Sequence, residues 1–129
     1  MQRLATRAQF QAVLAGKIIA RSSHFALHQL ADGVNPLFSG TGVWMGAMVP
    51  KRWAKRAVTR NAIKRQVYTI TGERHPEFSP TAHLIRLRSA YNKTFFISGS
   101  SAALKQAVRA ELHELLDQLS NVALAKERK

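Results

Sequence analysis

The sequence contains no cysteine, few acidic residues and no long hydrophobic run, and each absence excludes a class of protein. Without cysteine the chain has no disulfide scaffold, no thiolate zinc site and no cysteine nucleophile. The longest apolar stretch, residues 43–49, is far shorter than the ~20 residues that cross a bilayer, so we expect no transmembrane helix and no membrane partner. The lack of cysteine also fits a reducing compartment, and we expect a cytoplasmic protein.

The motifs of an independent enzyme are missing as well. The chain has no Gly-rich phosphate loop, no HExxH and no G-x-S-x-G. Asp32 is the single acid before Glu73, which makes catalysis by paired carboxylates implausible in that half of the chain. The five histidines do not alternate with carboxylates at the spacing of a metal site. We therefore predict no catalytic residue and no metal ligand, and we expect a binding protein.

What the chain does have is a large and uneven positive charge. Its 129 residues include 20 Lys and Arg against 7 Asp and Glu, which gives a formal charge of +13. The first 72 residues hold 11 basic residues and one acid, whereas residues 73–129 hold nine basic and six acidic ones. So much charge on a small domain indicates an anionic partner, most commonly nucleic acid. We interpret residues 1–122 as one domain and residues 123–129 as a disordered basic tail.

Helical patterns are visible at both ends of the chain. Thr6 and Gln9 have the spacing of a capping box, which predicts a helix over residues 6–15. A stripe of leucines predicts a C-terminal helix that begins near Ser100 or Ser101. Because carboxylates lie on the polar side of this helix, we interpret it as a structural element of the domain.

Three segments between these helices are predicted strands. They cover residues 24–30, 42–49 and 82–88, and each has alternating apolar side chains. The first two are separated by a loop rich in turn residues, so we expect them to form an antiparallel pair. Pro50 ends the second strand because it has no N–H to donate.

The segment from Lys51 to Ile70 has an amphipathic pattern without any acid. Ile63, Val67 and Ile70 fall on one stripe, which predicts a helix that faces a sheet through that side. Arg60 with Lys64 forms an i, i+4 pair on the opposite side. Asn61 with Arg65 forms a second such pair, so four polar groups project together. The candidate anion-binding residues are Lys51, Arg52, Lys55, Arg56, Arg60, Asn61, Lys64 and Arg65.

Two other interpretations of this segment have to be considered. It could be a solvated basic face with no partner, although no acid balances the run. It could also be a DNA-binding helix, although Arg60 follows a strand rather than the first helix of a tight helix pair.

The number of cations sets an upper bound on the salt dependence of binding. If all seven cations bind phosphates, a plot of the logarithm of the binding constant against the logarithm of the salt concentration has a slope of roughly −5 to −6.

From Lys51 to Val67 the sequence resembles the signature of the bacterial ribonuclease P protein component. In that family a basic pair at the end of a strand is followed by a short linker and by Ala-Val-x-Arg-Asn-x-x-Lys-Arg. The matching residues are Lys51, Arg52, Ala57, Val58, Arg60, Asn61, Lys64 and Arg65. The family often continues with Arg-Glu and an aromatic, whereas this chain has Gln66, Val67, Tyr68, Thr69 and Ile70.

The resemblance implies an α/β fold, an α+β sandwich of α-β-β-β-α-β-α order. This order is that of the second domain of a small-subunit ribosomal protein, with a left-handed β-α-β crossover. The residues alone predict three strands where the family has four. We expect the fourth strand either in residues 37–41 or from a division of residues 21–30.

The resemblance also implies a function in tRNA maturation. The family's catalyst is an RNA subunit that holds Mg²⁺ and removes the 5′ leader of precursor tRNA, while the protein binds that RNA and the leader. Arg60, Asn61, Lys64 and Arg65 would face the RNA. Lys51, Arg52, Lys55 and Arg56 would lie on adjoining phosphates. Phe10, Phe25, Arg86 and Arg88 would line the leader cleft. We expect no protein partner, and the alternative is a ribosomal or other structural RNA-binding protein of similar fold.

Overall fold

The computed structural model describes residues 1–32, 35–40, 42–91 and 102–127, and within the last helix it describes side chains to residue 119. Within these residues it has five strands and three α-helices. In chain order they are β1 (Gln2–Arg3), α1 (Arg7–Leu14), β2 (Lys17–Arg21), β3 (Phe25–Gln29), β4 (Trp44–Met48), α2 (Ala57–Glu73), β5 (Ala82–Leu87) and α3 (Ala102–Glu127), with a 3₁₀ turn at His75–Glu77 before β5.

The five strands form one mixed sheet in the order β1-β4-β5-β3-β2. Strand β4 is parallel to both of its neighbours, β1 and β5, whereas β3 is antiparallel to β5 and to β2. The predicted α-β-β-β-α-β-α order is confirmed, with the two-residue β1 placed before it. The left hand of the β4-α2-β5 crossover stays a prediction.

Of the two strands that the sequence pattern missed, β1 has only two residues, and the longer one is β2, at Lys17–Arg21. It lies immediately after α1, in neither of the two places expected for a fourth strand, residues 37–41 and a divided 21–30. Its pattern is hard to recognise because β2 is an edge strand whose residues are mostly exposed, with Ala20 alone buried. A bulge between Ile18 and Ala20 interrupts its alternation further.

The expected antiparallel pair between residues 24–30 and 42–49 is wrong. Strand β5 lies between β3 and β4 and pairs with both of them. All but one of the residues of β5 are buried, as expected for a strand in the middle of a sheet that is covered on both faces. The long connection between β3 and β4 does not impose a hairpin, and β5 takes the central position.

Helices α2 and α3 cover one face of the sheet, and α1 covers the other. The larger core cluster joins β3, β4 and β5 to the apolar sides of α2 and α3. The predicted stripe of α2 is confirmed, since Ile63, Val67 and Ile70 are at most 2% exposed. In α3 the leucine stripe is buried as expected, and the helix continues to Glu127, which includes most of the segment interpreted as a tail. Ser100 and Ser101 lie outside the described residues.

Helix α1 is fixed on the opposite face by a predicted cap and by a glycine. Thr6 accepts a hydrogen bond from the Gln9 amide, and the Gln9 side chain accepts one from the Thr6 amide, which confirms the capping box. A Cβ atom at Gly46 of β4 would lie 2.5 Å from a methyl carbon of Leu4 and 3.0 Å from the ring of Phe10. The absent side chain at Gly46 therefore lets Leu4 and α1 pack directly on the sheet.

In the described ranges, no helix is long and apolar enough to span a membrane.

His83 is a buried titratable group within β5. Its side chain packs edge-on against Phe78, with ring centroids 5.0 Å apart, and the Gln29 amide lies 3.3 Å from its Nε2 atom. Burial lowers the pKa of His83 to about 4, and it outweighs the opposite effect of hydrogen bonds to the backbone of Trp44 and Thr81. The imidazole is therefore neutral at physiological pH.

We predict that His83→Leu makes stability less dependent on pH on the acid side. The unfolded chain binds a proton at His83 near pH 6.5, whereas the folded chain does so near pH 4. Acid therefore favours the unfolded state across this window, and His83 accounts for up to about 3 kcal/mol of the loss. Urea denaturation at pH 7, 5.5 and 4.5 measures the free energy of unfolding of the variant and of the wild type. Parallel losses in the variant and the wild type would contradict the prediction.

Candidate nucleic-acid interface

The eight residues of the predicted basic motif lie together, on the turn before α2 and on the first half of α2. The buried stripe of α2 faces the sheet, so the opposite side of the helix points outward. Asn61, Arg65 and the four cations before the helix are exposed, and Arg60 and Lys64 are half-buried. The sequence has no acid between Lys51 and Gly72, and the basic side chains of the described pairs with carboxylates are Lys17, His24, Arg74 and Arg109. The motif therefore forms a strongly positive surface.

The turn before α2 is built on Pro50. The amides of Trp53 and Ala54 both donate to the Pro50 carbonyl at 3.1 Å. Trp53 packs against the larger core cluster, and the guanidinium of Arg52 lies 5.2 Å from the centre of its ring. Since the tryptophan is held by the core, it fixes the place where the basic pair leaves the sheet.

Arg60 has a structural role that the sequence pattern did not indicate. Its Nη1 atom donates to the carbonyls of Ala54 and Lys55, at 3.0 and 2.8 Å. Helix α2 has no side-chain cap at Arg56, so Arg60 bonds the linker back onto the first turn of the helix. At least one nitrogen of this guanidinium is therefore hydrogen-bonded within the protein.

A groove beside the motif contains a residue from the start of the chain. It lies between β1 and α2 and has a volume of about 430 Å³. The guanidinium carbon of Arg3 sits 4.0 Å from the centre of the Tyr68 ring. The hydroxyl of Tyr68 accepts a hydrogen bond from the Ala47 amide at 3.2 Å. The lining residues are Arg3, Asn61, Lys64, Arg65, Tyr68 and Thr69.

The α1 face of the sheet holds two of the four predicted leader-cleft residues. Phe10 is half-buried beside the smaller core cluster. Arg86, on β5, donates from Nε to Nε2 of His28 at 3.2 Å. Burial and the neighbouring charge of Arg86 lower the pKa of His28, so its neutral ring can accept this hydrogen bond.

Arg88 is exposed but bonded to the protein. Its Nε and Nη2 atoms donate to the Ser22 carbonyl at 2.9 and 2.7 Å, in the turn between β2 and β3. Glu111 of α3 holds the same turn, because it accepts hydrogen bonds from Ser22 Oγ and from the amide and ring of His24. Burial acts to raise the pKa of Glu111, but these bonds and one from Tyr91 outweigh it, so the pKa lies below its ordinary value. Arg88 and Glu111 therefore both hold the turn between β2 and β3, Arg88 from the end of β5 and Glu111 from α3.

Phe25 does not lie with Phe10. Its side chain is 0% exposed and belongs to the larger core cluster, on the α2 and α3 side of the sheet. Alternation along β3 turns Ala26 and His28 towards the α1 face instead. A cleft on the α1 face would be lined by those two positions of β3 rather than by Phe25.

These features define a class, the small basic α+β protein with an acid-free cationic surface on its crossover helix. Residues 1–126 match the family model described as Ribonuclease P. A ribonuclease P protein component from Ralstonia pickettii is 34% identical over 115 residues, which are 89% of this chain and 76% of the relative. One from Paraburkholderia xenovorans is 27% identical over 97% of this chain and 85% of the relative.

The fold is also similar to solved structures of that kind. The RNase P protein of Staphylococcus aureus aligns with a TM-score of 0.65 and 18% identity, over 91% of this chain and 94% of that one. The RNase P protein of Thermotoga maritima aligns with a TM-score of 0.61 and 20% identity, over 90% and 96%. The chain belongs to the ribonuclease P protein family.

We predict that Arg60→Ala and Lys64→Ala have the same effect on charge but different effects on stability. Arg60→Ala removes two hydrogen bonds to backbone carbonyls and should lower the free energy of unfolding by about 1 kcal/mol. Lys64→Ala removes a half-buried charge from a like-charged pair and should change that free energy much less. Urea denaturation measures the difference, and elution from heparin should shift to lower salt in both variants. Equal stabilities would show that the Arg60 bonds contribute nothing.

Proposed function

We propose that this protein is the RNA-binding subunit of a cytoplasmic ribonuclease P. It binds the catalytic RNA through the outward side of α2 and the turn before it, and it takes the 5′ leader of precursor tRNA on the α1 face of the sheet. The observation that carries the proposal is the acid-free surface around Asn61, Lys64 and Arg65 in a chain of this family. Such a surface attracts RNA phosphates strongly and in a salt-dependent way.

The position of α2 favours RNA over the major groove of DNA. A DNA-reading helix is normally presented by a helix pair, which leaves its reading side free to enter the groove. Here α2 connects two parallel strands and is packed along the sheet through Ile63, Val67 and Ile70. Its cations lie across a broad surface, which suits the backbone and unpaired segments of a folded RNA.

The leader site rests on Phe10 and Arg86. A half-buried aromatic ring and a cation on one surface suit a single strand, because stacking and phosphate contacts do not depend on base identity. Strand β3 adds His28, which holds Arg86 through its Nε2 atom. Phe25 is left out of this site because it is buried on the other face.

The hydrolysis itself is assigned to the RNA subunit together with Mg²⁺. Magnesium prefers oxygen ligands, chiefly carboxylates and phosphates, in a near-octahedral arrangement. The side chains of the proposed interface are cations and one amide, so this donor set does not fit a magnesium ion. Phosphates of the RNA are the suitable ligands. The protein's part is to bind both RNAs and to offset their mutual repulsion.

We predict that this protein stimulates cleavage of precursor tRNA by a bacterial ribonuclease P RNA at low Mg²⁺ concentration. Neutralising phosphates with protein cations reduces the Mg²⁺ needed to bring the two RNAs together. The measurement is single-turnover cleavage with and without the protein, over a Mg²⁺ series, with product 5′ ends mapped. The stimulation should diminish as the Mg²⁺ concentration rises.

The same experiment separates the proposal from its alternative. A variant that combines Lys64→Ala and Arg65→Ala should need several-fold more protein for half-maximal stimulation, whereas Arg109→Ala on α3 serves as the control for loss of a distant charge. Binding without stimulation would favour a structural RNA-binding protein. If the protein neither binds the RNA nor stimulates cleavage, the proposed function is refuted.

A further inference from the structure

Arg3 occupies a fixed position at the edge of the groove between β1 and α2. The amides on either side of it, those of Gln2 and Leu4, donate to the carbonyls of Val43 and Met45 at 2.9 and 3.0 Å. These bonds hold its backbone against β4. Its guanidinium lies over Tyr68, which is itself bonded to the Ala47 amide of the same strand. Both members of the pair are therefore anchored to β4.

The pair leaves one side of a planar cation open. Tyr68 is half-buried and lies on one side of the Arg3 guanidinium, whereas the Arg3 side chain as a whole is exposed. A guanidinium held against an aromatic ring is a flat surface on which a nucleic-acid base can stack. Phosphate binding alone does not require a guanidinium held on an aromatic ring, because a flexible lysine on a helix binds a phosphate as well.

The other wall of the groove supplies the contacts that the rest of a nucleotide requires. Lys64 and Arg65 carry the charges for phosphates on either side of a base. The Asn61 amide can donate to and accept from a base edge. The groove volume of about 430 Å³ is within the roughly 300–1,000 Å³ of sites that bind small organic ligands.

We propose that this groove binds one unpaired nucleotide of the RNA, with its base on the Arg3 guanidinium and its phosphates on Lys64 and Arg65. The inference rests on the proposed function and adds to it a ligand and two residues outside the motif, Arg3 and Tyr68. A base within a helix is stacked on both sides and cannot use this surface. The nucleotide therefore belongs to a loop, bulge or junction.

The first test separates stacking from charge at position 3. Binding of a bacterial ribonuclease P RNA is measured over a salt series for the wild type, Arg3→Lys, Arg3→Ala and the control Arg109→Lys. Arg3→Lys should lose about 5- to 10-fold in affinity with an unchanged salt slope, because it keeps the charge but not the flat surface. Arg3→Ala should lose more and have a shallower slope. Arg109→Lys should bind as the wild type does.

The outcomes distinguish this inference from the proposed function. If the wild type does not bind the RNA, the proposed function fails. If the wild type binds and Arg3→Lys binds equally well while Arg3→Ala is weaker, Arg3 meets only a phosphate, and the stacking inference is overturned. Wild-type affinity in both variants would remove Arg3 from the interface altogether.

The second test uses Tyr68 to ask whether the two residues act as a unit. Tyr68→Phe keeps the ring under Arg3 but loses the bond from the Ala47 amide, so it should weaken RNA binding much less than Tyr68→Leu does. Tyr68→Leu removes the ring and should weaken binding about as much as Arg3→Lys. The double variant Arg3→Lys with Tyr68→Leu should be little weaker than either single variant. Losses that multiply would overturn the coupling, and thermal melts confirm that every variant is folded.

The third test uses the absence of cysteine, which makes a single introduced thiol unique. Thr69→Cys at the exposed edge of the groove leaves Arg3 and Tyr68 intact, and it can carry an aryl azide for cross-linking to the RNA. We expect cross-links at an unpaired nucleotide and none from the control Ala110→Cys on α3. Cross-links confined to base-paired nucleotides would overturn the inference.

Discussion

The packing of α2 against the sheet is the constraint on which the interface depends. Ile63, Val67 and Ile70 are buried between the strands and α3, which fixes the rotation of the helix about its own axis. Because these three positions must face inward, Asn61 and Arg65 must face outward. The like charges on that side repel one another, so the apolar stripe also supplies the free energy that keeps them together. Without this stripe, no apolar burial would offset the repulsion between cations that lie on one side of the helix.

The sheet order determines which distant residue joins that surface. Strand β4 has β5 on one side and the two-residue β1 on the other, so β1 lies at the edge nearest to α2. Beyond β1, the Ala47 amide donates to Tyr68 instead of to a strand. A short β1 thus leaves room for a tyrosine of α2, and the same tyrosine supports Arg3. The groove is a consequence of how this edge of the sheet ends.

Local sequence patterns predicted the parts of the molecule that depend on local interactions. The capping box at Thr6 and the inner stripe of α2 are set by residues three or four positions apart, and both are present. Strand β2 and the place of β5 between β3 and β4 depend on long-range pairing, which alternation alone does not encode. The family resemblance implied a place in the leader cleft for Phe25, but the phase of β3 turns this residue into the main core. A two-residue strand such as β1 has no recognisable pattern.

The net charge of the chain overstates the number of cations that are open to a partner. Arg60 and Arg88 both donate to backbone carbonyls, and Arg74 is paired with Glu77 and Asp117, so a part of the charge holds the fold together. Arg3 lies far from the motif in sequence but beside it in space. A carbonyl partner costs an arginine little of its charge but removes its freedom to reorient. In the proposed RNA interface, the arginines that hold turns would act as fixed charges, whereas an exposed arginine such as Arg65 would be able to adapt to the shape of a bound strand.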